Sequence, residues 1–131
     1  LLNKLNMSVS INNSEILENC WNDMFIDFLN QMDTLFPDSP ASSIKTQLKV
    51  QKTFNFGKKP IILFYESIKG HEDEIKNRNE TYFFGVHSKI DFVENVNLKK
   101  YYGLSTDHNK SIIWDYIEKL YDITAMYLKM V

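Results

Sequence analysis

The feature that most constrains the fold is the stretch Ser111–Met130, reading SIIWDYIEKLYDITAMYLKM. At about 100° per residue, a helix here gathers Ser111, Asp115, Glu118, Lys119, Asp122 and Lys129 into one strip roughly 100° wide. The rest of the circumference is apolar. Ile113, Ile117, Leu120, Thr124 and Leu128 form one line at helical spacing, and Ile112, Tyr116, Ile123 and Tyr127 form a second, flanked by Trp114, Tyr121 and Ala125. A helix apolar around most of its girth needs cover on several sides, so the remainder of the chain has to supply it. Its start is marked by Ser105, Thr106 and Asp107, each able to accept a hydrogen bond from the free N–H groups of a first turn.

Upstream, the capping box Asn12-Asn13-Ser14-Glu15 predicts a second strong helix, from about Ser14 to Leu35, stopped by Phe36-Pro37. Leu17, Trp21, Met24, Phe28 and Leu35 line one edge of it, with Ile16, Cys20, Phe25, Leu29 and Met32 beside them. Residues 1–11 read as a weakly patterned lead-in able to extend along a neighbour. Ser39 as cap and Pro40 at the first position open a helix to about Phe54, which carries a row of lysines, Lys45, Lys49 and Lys52. Such a row is usually a wet face; its functional alternative is an acidic partner or a phosphate backbone.

Pro60 and Gly70 bracket Ile61–Lys69 as a helix, although the β-branched run Ile61-Ile62 through Tyr65 also suits a strand. His71–Glu80 reads as a charged loop or single turn pinned by Ile75. Thr81–Phe84 returns to the core, Val86–Asp91 is ambiguous, and Phe92 to Tyr102 suggest one or two short helices stopped by Gly103. The fold expected is a single all-α domain over 1–131, a bundle of five to six helices around a buried C-terminal helix. Trp21, Phe25, Phe28, Trp114, Ile117, Leu120 and Tyr121 form its expected core. The chain begins at Leu1 rather than Met and stops at Val131 inside an apolar pattern, which suits a trimmed piece.

Composition narrows the chemistry. With 44% hydrophobic and 14% aromatic residues, rings are expected to supply much of the buried area, which argues against disorder. The longest apolar run, Ile61–Tyr65, is far short of the roughly 18 residues of a membrane span. The net charge is −2, and Arg78 is the sole arginine beside fourteen lysines, so the basic face of a strong nucleic-acid binder is not evident. Cys20, the single cysteine, allows no internal disulfide and reads as a small buried hydrophobe.

His71-Glu72-Asp73-Glu74 offers consecutive metal-ligand types, but consecutive residues diverge, and position 75 is Ile where a metalloprotease helix needs its second His. His87 and His108 stand alone in the sequence, and Asp23 with Asp27 belong to a polar stripe. The expectation is no catalytic residue, no metal and no cofactor. Excess Tyr, Trp, Phe and Met points instead to a protein–protein surface, for which Lys45, Lys49, Lys52, Tyr101 and Tyr102 are candidates. The rival is a nucleic-acid- or transcription-associated module using Lys45, Lys49, Lys52, Lys58 and Lys59.

Several spaced features occur together: Phe25-x-x-Phe28-Leu29 leading to Leu35-Phe36-Pro37, Ile75 before Asn79-Glu80-x-x-Phe83-Phe84, then Leu104-Ser105 and Ile113-Trp114-x-Tyr116-Ile117-x-x-Leu120-Tyr121. This pattern, over about residues 21–125, resembles a group of short helical proteins encoded by nucleocytoplasmic large DNA viruses. It departs from the group at Tyr101 or Tyr102, where a Trp is expected, and over Lys58–Tyr65. The resemblance implies a viral source and an all-helical fold, and it is consistent with a minor capsid or virion component among viral protein neighbours, located in the virion or infected-cell cytoplasm. It carries over no active site.

Overall fold

The computed structural model describes residues 2–54 and 59–131, with side chains placed for 13–49, 59–93 and 96–131. In chain order the helices are α1 (Leu2–Leu35), α2 (Ala41–Phe54), α3 (Pro60–Ile68), α4 (Glu72–Lys76), α5 (Glu80–Phe84), α6 (Asp91–Asn95), α7 (Leu98–Gly103) and α8 (Asp107–Leu128). Among the described residues the chain is therefore all-helical, with eight helices where the sequence pattern suggests five to six. The excess comes from α4 to α7, four pieces of five or six residues each. Elements this short have too few internal hydrogen bonds to stand alone and take their stability from packing.

Phe28 of α1 meets Tyr116 of α8 with ring centroids 5.3 Å apart, and Glu18 meets the Tyr127 hydroxyl at 3.0 Å. Numbers fall along α1 as they rise along α8, so the two long helices lie antiparallel. α1 also packs on α2 and α3, and α8 on α3, α4 and α7. Ile113, Trp114, Ile117, Leu120, Thr124 and Tyr127 are buried on α8; Trp21, Phe25, Phe28, Leu29 and Met32 are buried on α1. Inside that core the Thr124 hydroxyl donates to the Leu120 carbonyl at 2.7 Å, which satisfies an otherwise costly buried polar group.

Punctuation residues set most boundaries. Pro37 disfavours helix at Phe36, and Phe36 N–H makes the last bond of the turn to Met32 O. Thr106 accepts from Asn109 N–H at 3.2 Å to cap α8, and Asn79 does the same for Tyr82 N–H on α5. Gly70 sits at φ +83°, the left-handed region that favours glycine after a helix. Gly85 is fixed by crowding instead: a Cβ there would lie 2.2 Å from Thr81 O. The ambiguous run after Pro60 is helical. Ile61, Phe64 and Ile68 recur at helical spacing and are buried, while Leu63 and Glu66 face outward.

Three expectations are corrected. α1 begins at Leu2 rather than near Asn12, so the lead-in continues the helix; residues 2–11 contain no Pro or Gly to break it, and the capping box lies inside. Cys20 is exposed rather than buried. Ile16, on the same expected line, is 56% exposed as well, whereas Phe25, Leu29 and Met32 further along it are buried. Tyr121 is half-buried, because it flanks the stripe centred on Leu120 and Thr124 instead of belonging to it.

Candidate partner surface

The lysine row does not stand as a free cationic face. Lys45 Nζ lies 2.6 Å from Asp33 Oδ2 and donates to Asn30 Oδ1 at 3.0 Å, tying α2 to the end of α1. The Lys45 hydrogen bond holds the Asp33 carboxyl below the usual aspartate value. Lys49 is exposed on the same helix. The side chain of Lys52, and Lys58 altogether, lie outside the described residues. Lys59 donates to Glu18 Oε1 at 2.7 Å, which raises the pKa of the lysine, and the same oxygen accepts the Tyr127 hydroxyl.

Tyr101 and Tyr102 are buried, at 3% and 4% exposure, and present no surface to a partner. Tyr101 packs on Phe36 with centroids 4.9 Å apart, and its hydroxyl donates to Asp38 O at 3.4 Å. Tyr102 stacks on Phe84 at 3.9 Å and 12°. Its hydroxyl accepts Trp114 Nε1–H at 3.0 Å and donates to the Glu80 carboxylate. Burial first, and the Glu80 carboxylate second, push the Tyr102 phenol up to about 12. Phe83 and Phe84 meet the Trp114 ring edge-on at 5.5 and 5.3 Å.

Glu80, Phe83 and Phe84 of α5, Tyr102 of α7 and Trp114 of α8 thus converge on one aromatic box that locks α5 and α7 against α8. Periodicity hides this box, because its members come from three elements. A further clamp was not legible at all. Arg78, at φ +46°, donates from Nε and Nη2 to the two oxygens of Glu118 at 2.8 and 2.9 Å, and from Nη2 to Asp115 at 2.7 Å. The guanidinium is raised above its ordinary pKa by these carboxylates, and Glu118 is lowered by Arg78 in return.

One half-open apolar cavity of about 440 Å³ lies between α1, α2, α3 and α6. Trp21, Phe25, Leu48, Leu63, Phe64 and Phe92 form most of its apolar wall, with Gln47, Glu66, Ser67 and Asp91 as its polar lining. Phe64 meets Trp21 at 5.5 Å and Phe92 edge-on at 5.0 Å, and Ser67 Oγ accepts Phe92 N–H at 2.8 Å. The rings that build the core therefore also build this wall. Leu63 is 47% exposed, so an apolar side chain of the wall reaches solvent. Trp21 Nε1 is buried with no hydrogen-bond partner.

Among the described residues no three His, Cys, Asp or Glu side chains come together as metal ligands, and the His71–Glu74 run is spent otherwise. His71 Nδ1 bonds the Tyr82 hydroxyl, Glu72 accepts Gly70 N–H at 3.2 Å, and Glu74 accepts from Asn79 at 2.8 Å. No described helix is long and apolar enough to cross a membrane. Comparison with protein-family models, curated proteins and solved structures finds no match.

Proposed function

We propose that this chain is a non-enzymatic structural or adaptor protein that works through protein–protein contacts. In line with its sequence resemblance, we place it as a minor capsid or virion component of a large DNA virus. The observation that carries the reading is the half-open cavity with aromatic walls and the exposed Leu63. Its volume lies in the range that accommodates a bulky apolar group, and interface anchors are typically single large side chains seated in such pockets. In this reading α8 is the buried central helix, and α4 to α7 act as one or two covering units of a five- or six-part bundle. The pairing of Lys45 with Asp33 and of Lys59 with Glu18 supports protein over nucleic acid as the partner, since both cations already have carboxylates.

Recovery of the native protein with its companions tests the proposal. Association with viral shell proteins in fixed stoichiometry, retained at about 1 M salt, is the expected result, because screening at that strength acts within about 3 Å and leaves apolar contacts intact. Companions limited to nucleic acid or polymerase, released as salt rises, would overturn it.

A further inference from the structure

A second, smaller cavity of about 320 Å³ lies where the loop after α5 folds back on that helix, and it has a different character. Its lining is Thr81, Tyr82, His87, Ser88 and Lys89: three hydroxyls, an imidazole and an ammonium, with no carboxylate. The backbone explains why they meet. Gly85 N–H returns to Thr81 O at 3.0 Å and Ser88 N–H to Gly85 O at 3.0 Å, so the loop doubles back and brings residues 87–89 beside residues 81–82. The nearby acids are engaged elsewhere. Glu80 takes the Tyr102 hydroxyl, and Asp91 lines the larger cavity.

Ser88 is the telling residue. It is one of two buried polar residues in the described core, at 7% exposure, and its hydroxyl has no hydrogen-bond partner. Leaving such a group unmatched is costly, and native structures rarely do so without cause. Lys99 Nζ donates to the Ser88 carbonyl, which adds a further positive charge at the same residue. Tyr82, also in the lining, has its hydroxyl bonded to His71 Nδ1.

We propose that this cavity binds the phosphate group of a small phosphate monoester. Lys89 supplies charge, and the His87 imidazole N–H and the hydroxyls of Thr81 and Ser88 donate to the phosphate oxygens. Because the Ser88 hydroxyl has almost no contact with solvent, its donation to the phosphate requires χ1 to move to another staggered well. The free phosphate ion and an organic monoester share this chemistry. The cavity exceeds what the bare ion needs, and the Tyr82 ring at its wall favours an ester carrying a flat apolar group.

Titration of the full chain with phenyl phosphate, inorganic phosphate and phenyl sulfate at constant ionic strength, followed by calorimetry, tests the site. Saturable one-to-one binding of phenyl phosphate, tighter than inorganic phosphate and phenyl sulfate, is expected. Ser88→Ala should weaken it roughly tenfold or more, the loss of one hydrogen bond to a charged group, without lowering Tm. Lys89 is exposed, so Lys89→Ala folds regardless and should weaken binding similarly. Binding that Ser88→Ala and Lys89→Ala leave unchanged, binding lost equally in Lys129→Ala, fifteen residues along the chain from the Trp114 that α5 packs on, or no saturable binding would overturn the proposal.

Discussion

Tyr102→Phe removes a single oxygen from the aromatic box, and the structure says what that oxygen does. It accepts the buried Trp114 Nε1–H at 3.0 Å and donates to Glu80. The ring itself, stacked on Phe84, is untouched by the change. Trp114 is 3% exposed, so its indole N–H is left without water as well as without a partner, a loss of about 1–3 kcal/mol. Glu80 is exposed and regains water, so its share is small. The expected destabilisation is about 2 kcal/mol, read as a lower urea midpoint at unchanged m-value. Adding Trp114→Phe removes both partners, and the double variant should cost less than the two single changes together, with a coupling of about 1 kcal/mol. A Tyr102→Phe midpoint within about 0.5 kcal/mol of wild type, or strict additivity, would refute the assignment of this bond as a fastening of the core.

The same phenol gives a pH prediction. Its folded pKa lies near 12, above the ordinary value of 10.0, so the native state holds the proton longer than the unfolded chain. The contribution is fully present below pH 10 and should fade between pH 10 and 12, absent in Tyr102→Phe. Leu120→Ala, at 0% exposure, should cost about 2–5 kcal/mol by thermal or urea unfolding. Arg78→Lys keeps the charge but loses the fork, and should cost about 1 kcal/mol or less, shrinking at high salt. Glu118, held below its usual value by Arg78, should contribute stability above the ordinary glutamate range that is lost as pH falls, and Arg78→Lys should blunt that slope. Cys20 should react with a thiol reagent in the folded protein at a rate close to that of the unfolded chain.

Long-range periodicity and single-residue punctuation were readable from the sequence. The α8 girth, the Phe36-Pro37 stop, the Pro60 and Gly70 brackets and the cap in Ser105–Asp107 each act within a few residues, so the sequence carries them directly. Two kinds of feature were not readable. The first is which side of an apolar pattern finds cover: Ile16 and Cys20 share a helix with Trp21 and Phe25, and only the placement of the other helices leaves the first pair in solvent. The second is pairing over distance. Tyr101 and Tyr102 read as interface aromatics because nothing local reveals Phe36, Phe84 and Trp114 as their partners, and Lys45 reads as a free cation until Asp33 comes beside it. The cavity at Leu63 was likewise invisible, being built by four helices whose separate patterns all read as core.

The central claim, that an apolar side chain of a protein partner seats in this cavity, is tested most directly by Leu63→Lys. Leu63 is half-exposed at the cavity while Ile61, Phe64 and Ile68 hold α3 in the core, so the variant should fold with Tm close to wild type. Quantitative recovery of the native protein companions by wild type and Leu63→Lys, side by side at low salt and at about 1 M, gives the answer. The expected result is a salt-resistant partner held by wild type and lost by Leu63→Lys. Equal recovery by both proteins, or a companion that salt removes from both, would contradict it.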